Sequence, residues 1–252
     1  MLTYLESDIR EIASRLAHIE EKLSSSTILI TGASGFLGKY FMATFAQIAG
    51  KYPNRKMRVV AVDNYVTSTK EGMSLTDLGG HVEWIFADAK IASELPDKFD
   101  YIIQAAGIAS PQHYRAKPLE TIYVSVDVTR SLLEKARKDG ARLLFFSSSE
   151  IYGDPNPSAV PTTEEYRGNV SSRGPRACYD ESKRLGETLC WVYSEYFGVH
   201  ASVVRPFNVY GPGMMPTDYR VLPNFAWSIA KGKEISIYGD GNQTRTFCYV
   251  TD

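Results

Sequence analysis

Six short apolar runs recur along the chain: "TILIT" from Thr27, then "RVVAVD", "VEWIFAD", "YIIQAA", "RLLFFSS" and "ASVVRPF". Their interiors are continuous rather than alternating, which suits strands covered on both faces of a parallel sheet. Between several of them lie longer stretches with helical spacing, notably 36–49, 119–138 and 179–197. Strand followed by helix, repeated, predicts an α/β fold of the Rossmann type, a doubly wound parallel sheet. Residues 153–176, rich in Pro, Gly and Ser, predict a loop, and loops on such scaffolds often carry function.

Ahead of the first strand the period changes. Leu2, Leu5, Ile9, Ile12, Leu16, Ile19 and Leu23 step by threes and fours, the a/d spacing of a heptad seam. Residues 1–24 therefore predict a separate heptad helix, with one α/β domain over 27–252. The apolar stripe suits a helix laid on its own domain or an oligomer contact.

Composition narrows the function classes. With 28 basic and 29 acidic residues the net charge is −1, which gives no footprint for nucleic acid or an anionic membrane surface. No apolar run approaches the roughly 18 residues of a membrane span. The charged N-terminus does not read as a signal peptide, so a cytoplasmic location is expected. Cys178, Cys190 and Cys248 are widely spaced and read as buried free thiols. The four histidines show no ligand spacing, and no metal is expected.

At the exit of the first strand, "ILITGASGFLGKYF" places Gly32, Gly35 and Gly38 where a strand turns into a helix, with Phe36 and Leu37 between the last two. Such a turn lets backbone approach a pyrophosphate, and the helix N-terminus attracts it. The spacing is G-x-x-G-x-x-G, not the general G-x-G-x-x-G, and glycines at such a turn also serve purely structural ends. Asp63 ends the second run, followed by Asn64. A carboxylate there bonds a ribose 2′-hydroxyl and repels a 2′-phosphate, favouring NAD over NADP. Asp88, ending the third run, is a further candidate for the adenine end. In register, these features predict a dinucleotide site.

The stretch "ACYDESKRLGE" puts Tyr179 and Lys183 one helical turn apart, and "SSSE" at the end of the fifth run supplies Ser148 and Glu150. Together with the glycines, these residues resemble the extended short-chain dehydrogenase/reductase family of NAD-dependent sugar-nucleotide epimerases, dehydratases and decarboxylases. That family uses the three-spaced glycine pattern seen here. "SSSEIYGDP", "GPRACYDESKR", "RPFNVYGP" and "YGDGNQTRTFCYV" look most like its UDP-glucuronate decarboxylase (UDP-xylose synthase) branch. The likeness covers 27–252 and leaves out the heptad segment. Members normally continue past the "YV-x-D" motif, so the substrate-binding part, from about residue 205 onward, is expected to be incomplete.

The resemblance implies roles. Tyr179 is the base at a sugar 4-hydroxyl, Ser148 bonds the same oxygen, and Lys183 tunes Tyr179 and holds the nicotinamide ribose. Free tyrosine has a pKa near 10, so a nearby cation is needed to favour phenolate. Oxidation at C4 of UDP-glucuronate gives a β-keto acid, which loses carbon dioxide, and reduction then gives UDP-xylose. Glu150 is the candidate for proton handling at C5. Arg245 is the candidate partner for the sugar carboxylate or the diphosphate, and Asn208, Arg220 and Asn224 are candidates for the nucleotide and sugar. Ser149 stands where glucose-type 4,6-dehydratases carry an aspartate, and a simple 4-epimerase has no use for Glu150; both facts favour decarboxylation. A 4,6-dehydratase, a 4-epimerase and an impaired NAD-binding scaffold are the alternatives. Members often pair through the helices at 119–138 and 179–197, so a homodimer is expected, enlarged if the heptad helix joins.

Overall fold

The computed structural model describes residues 4–68, 80–215, 218, 220–237 and 239–252. Six parallel strands form one sheet: β1 (Thr27–Thr31), β2 (Arg58–Asp63), β3 (Val82–Phe86), β4 (Tyr101–Gln104), β5 (Arg142–Phe146) and β6 (His200–Val204), in the order β3-β2-β1-β4-β5-β6. This is the doubly wound order that the alternating runs predict, with its reversal point between β1 and β4. Three long helices cross between strands: α3 (Phe36–Lys51), α5 (Pro118–Asp139) and α6 (Ala177–Phe197).

Continuous apolar strands have two faces to bury, and in the central strands β1, β2 and β4 both are buried. Ile28 and Ile30 of β1 pack with Val59, Met42, Phe45 and Ile48 on the α3 side. Leu29, between them, packs with Val60, Ile102, Leu132, Leu133 and Phe145 on the α5–α6 side. Helices α5 and α6 end at Gly140 and Gly198, whose φ angles of +72° and +67° stop each helix in the left-handed region at little cost.

The heptad run differs from its prediction. It forms not one helix but two, α1 (Glu6–Arg15) and α2 (Glu20–Leu23), joined by a tight turn in which Ala17 and Ile19 amides donate to the Ser14 and Leu16 carbonyls. The reason is packing. Ile9 packs on Tyr40 and Ala43 of α3, whereas Leu16, Ile19 and Leu23 pack into the core between α3 and the sheet. One straight helix cannot serve both surfaces. Leu2 of the run lies outside the described residues, and Leu5 is exposed.

The 153–176 loop is pinned rather than open. Gly153 bridges Asn169, and the Arg184 guanidinium donates to the Ile151 and Arg167 carbonyls at 2.9 and 2.8 Å. Among the described residues the remaining α-helices and strands are α4 (Pro111–Ala116), α7 (Val221–Ala230) and a two-stranded pair, β7 (Val209–Tyr210) with β8 (Cys248–Tyr249). Cys178, Cys190 and Cys248 are free thiols, but only Cys190 is buried. Among the described residues no helix is long and apolar enough to cross a membrane.

Candidate active site

The turn after β1 is shaped for close approach. Gly32 has φ +73°, and a Cβ there would meet the backbone of Ala106, just past the end of β4, at 2.7 Å. A Cβ on Gly38 would overlap the Gly32 carbonyl oxygen. Helix α3 starts at Phe36 with Gly35 as its N-cap, and no acidic side chain lies in its first turn. Its free amides are thus open to an anion. Leu37 lies in that first turn beside Phe36.

Asp63 leaves β2 and accepts from the Ser34 amide at 2.9 Å and the Tyr65 amide at 2.7 Å, which fastens the glycine turn to the turn after β2. Asn64 accepts from the Val66 amide. Asp88 lies beyond the end of β3 and caps the short 3-10 turn at Ala89–Ser93, accepting from the Lys90 amide and from the Tyr123 hydroxyl at 3.1 Å. A cap of this kind was legible only as a strand-end acid. The contact-tight glycines, the unopposed helix N-terminus and the β2-end carboxylate fit a dinucleotide.

The second half of the site is built where β5 and α6 meet. Ser148 ends the extended stretch after β5, and its Oγ accepts from the Glu150 amide at 3.3 Å as the chain enters a 3-10 turn. Tyr179 lies in the first turn of α6, buried, with its ring stacked 5.3 Å from that of Tyr114 at 15°. Burial pushes the Tyr179 phenol up to about 12, and the leading influences the other way are a hydrogen bond from Ser148 and the charge of Arg220. Lys183, one turn on, donates from Nζ to the Phe146 carbonyl at 2.7 Å and lies 5.9 Å from the Tyr179 ring centroid. Burial lowers its ammonium to about 8. A Cβ on Gly107 would sit 3.4 Å from Nζ, so glycine there keeps the loop after β4 close to this lysine.

Glu150 is ion-paired with Arg176, the N-cap residue of α6, and Arg176 Nε also donates to Asp180 at 3.4 Å. The hydroxyl of Tyr114 and Oδ1 of Asp180 are buried without a protein partner. None of Tyr114, Arg176 and Asp180 was singled out from sequence. Arg176 stands in the quoted "GPRACYDESKR", but nothing local says that its side chain turns toward Glu150.

Among the other expected substrate residues, Arg220 is the N-cap of α7, ion-paired with Asp218, and Asn224 follows in the same helix. Asn208 has φ +41° and donates to the Thr246 carbonyl at 2.8 Å, which draws the 245 segment alongside β7. Arg245 itself is exposed, with its guanidinium on the carbonyl of the preceding Thr244, and the structure gives it no contact with Ser148, Glu150 or Tyr179. Arg205 is a structural charge, clamped on Glu187 of α6 and on the Tyr152 hydroxyl.

The model of the NAD dependent epimerase/dehydratase family matches residues 28–252. The chain belongs to that family. UDP-glucuronic acid decarboxylase 1 of Xenopus tropicalis is 39% identical over 225 residues, 89% of this chain and 51% of the relative. UDP-glucuronic acid decarboxylase 6 of Arabidopsis thaliana is 38% identical over 229 residues, 91% and 64% respectively. The chain thus spans about half to two thirds of the length of these relatives. Among solved structures, a UDP-glucuronic acid 4-epimerase from Bacillus cereus, in complex with UDP-glucuronic acid and NAD, superposes with a TM-score of 0.70. It is 26% identical, and the match covers 89% of this chain and 70% of that one. This chain therefore carries the Rossmann-type sheet of the NAD dependent epimerase/dehydratase family.

Proposed function

We propose that the protein decarboxylates UDP-glucuronate, through a UDP-4-keto sugar, to UDP-xylose. The observation that carries this reading is the juxtaposition of Ser148 and Tyr179 with an ion-paired carboxylate, Glu150, on the same turn. The likeness to UDP-glucuronic acid decarboxylases in two organisms supports it. NAD would be held by the turn at Gly32, Gly35 and Gly38, by Asp63 and Asn64, and by Lys183. When bound, it supplies reversible two-electron oxidation at the sugar C4.

The chain's own residues do the rest. Ser148 orients the 4-hydroxyl, and Tyr179 takes its proton. Burial keeps the phenol protonated on its own, so its loss of a proton depends on cations gathered near the oxygen. With C4 oxidised, the C5 carboxylate leaves as carbon dioxide, its bonding electrons passing into the enolate of the neighbouring ketone. Glu150 supplies the proton that returns to C5, and Tyr179 returns its own as C4 is reduced. Asn208, Arg220, Asn224 and Arg245 lie on the segments proposed to bind the nucleotide and sugar.

Mass spectrometry of products from UDP-glucuronate, UDP-glucose and dTDP-glucose tests the reading. UDP-glucuronate is expected to lose one carbon dioxide and the neutral sugars to stay unchanged. Loss of water from a neutral sugar would replace it with a dehydratase. An isomer of UDP-glucuronate with unchanged mass would replace it with a 4-epimerase, the activity named for the Bacillus cereus structure.

A further inference from the structure

An acidic sugar brought to Tyr179 also brings its carboxylate toward Glu150, since C5 is bonded to the C4 that Ser148 and Tyr179 address. Two like charges there repel unless a cation intervenes. Arg176 is that cation. Its carbonyl accepts the Tyr179 and Asp180 amides at 2.9 and 3.0 Å, so its backbone is fixed to the turn that carries the base. Its side chain crosses to the turn after β5, where a terminal nitrogen is ion-paired with Glu150. Nε donates backward to Asp180.

The two acids differ in how they are held. The Asp180 side chain is 10% exposed and belongs to α6 itself, whereas that of Glu150 is 38% exposed and lies on a separate turn. The Glu150 pair is the one open to exchange, and Asp180 is the fixed end. Asp180 Oδ1 and the Tyr114 hydroxyl, both buried and without protein partners, mark the same corner as polar.

We propose that Arg176 is the specificity-determining residue for the sugar's C5 carboxylate, exchanging Glu150 for the substrate while Asp180 keeps its Nε. This rests on the decarboxylase reading above and moves the carboxylate contact from Arg245 to Arg176. The exchange does two things. The guanidinium fork meets a carboxylate of matching geometry, and Glu150, released from its cation, is free to take up the proton it delivers to C5. A neutral sugar has no charge with which to displace Glu150, so the pair stays closed. The site therefore selects acid sugars.

Calorimetric titration of the NAD-loaded full chain with UDP-glucuronate and with UDP-glucose tests this. Arg176→Gln is expected to weaken UDP-glucuronate by about 10–100-fold, the range for hydrogen bonds to a charged group, and to leave UDP-glucose within about twofold. Arg176→Lys, keeping charge without the fork, should fall between. Equal weakening of both sugars would assign Arg176 a merely structural role and overturn the proposal, as would unchanged UDP-glucuronate affinity. If Arg176→Gln does not fold, the ratio of the two affinities in Arg176→Lys decides in the same way. Wild type that converts UDP-glucuronate while the Arg176→Gln ratio stays unchanged overturns only this inference. Wild type that leaves UDP-glucuronate intact overturns the decarboxylase reading and this inference with it.

Discussion

Tyr179 and Lys183 are perturbed in opposite directions by one cause. Each loses water, so each favours its neutral form: the phenol is pushed up to about 12 and the ammonium down to about 8. The lysine makes this visible in stability. Folded, it titrates near 8; unfolded, near its ordinary 10.5. Below about pH 8 both states hold the proton, and the folded state bears the full cost of a buried charge. Between about 8 and 10.5 the folded protein sheds the proton that the unfolded chain keeps, so stability rises with pH across that window. Melting curves of wild type and Lys183→Met from about pH 7 to 10 check the sign. Wild type should gain on the variant as pH rises; a constant gap would show that burial does not perturb Lys183.

At the scale of elements, α1 ties two parts of the molecule that the sheet alone does not join. Asp8, in its first turn, is buried and accepts from the Tyr249 hydroxyl of β8 at 2.9 Å. The Tyr40 hydroxyl of α3 is shared between Asp8 at 3.4 Å and the Pro212 carbonyl at 3.1 Å. Burial and then Asp8 push the Tyr249 phenol up to about 12. The Arg15 guanidinium adds a bond to the Thr251 carbonyl at 3.0 Å. Phe36 of the glycine turn packs on this same group of rings. Asp8→Ala leaves the Tyr249 hydroxyl without its acceptor and is expected to cost about 1–3 kcal/mol by denaturant melting. Asp8→Asn, which keeps an acceptor, should recover much of that loss. Equal midpoints for wild type and Asp8→Ala would show that α1 is held by apolar contact alone.

Over the whole molecule, the strand order gathers the turns after β1, β4, β5 and β6 at one edge, where the glycines, Gly107, Ser148 and Asn208 are found. The opposite need, covering apolar surface, is left unmet on two helices. Leu119 and Ile122 of α5, and Leu185, Trp191, Tyr196 and Phe197 of α6, are exposed. We propose that these helices pair two copies of the chain. Light scattering should give the mass of a dimer, and Leu185→Arg should shift it toward monomer by placing a charge on that surface. A monomer at micromolar concentration would sink the proposal. The six strands and three long helices were legible from period alone, because each buries apolar surface in a pattern that sequence spacing records.

Spacing along the chain determined what is local: the glycine turn, the strand-end acid at Asp63, the Tyr179–Lys183 turn and the cofactor class. Each depends on residues a few positions apart, which helix and strand periods place on one side. The tertiary structure decided what depends on distant segments meeting. It bent the heptad run in two, since Ile9 and Leu23 answer to different surfaces. It turned Asp88 into a cap with Tyr123 across from it. It left Arg245 at the surface and brought Arg176, from the far side of a long loop, onto Glu150. No periodicity encodes that last pair, because its partners share neither a helix nor a strand, and only the packing of α6 beside β5 makes them neighbours.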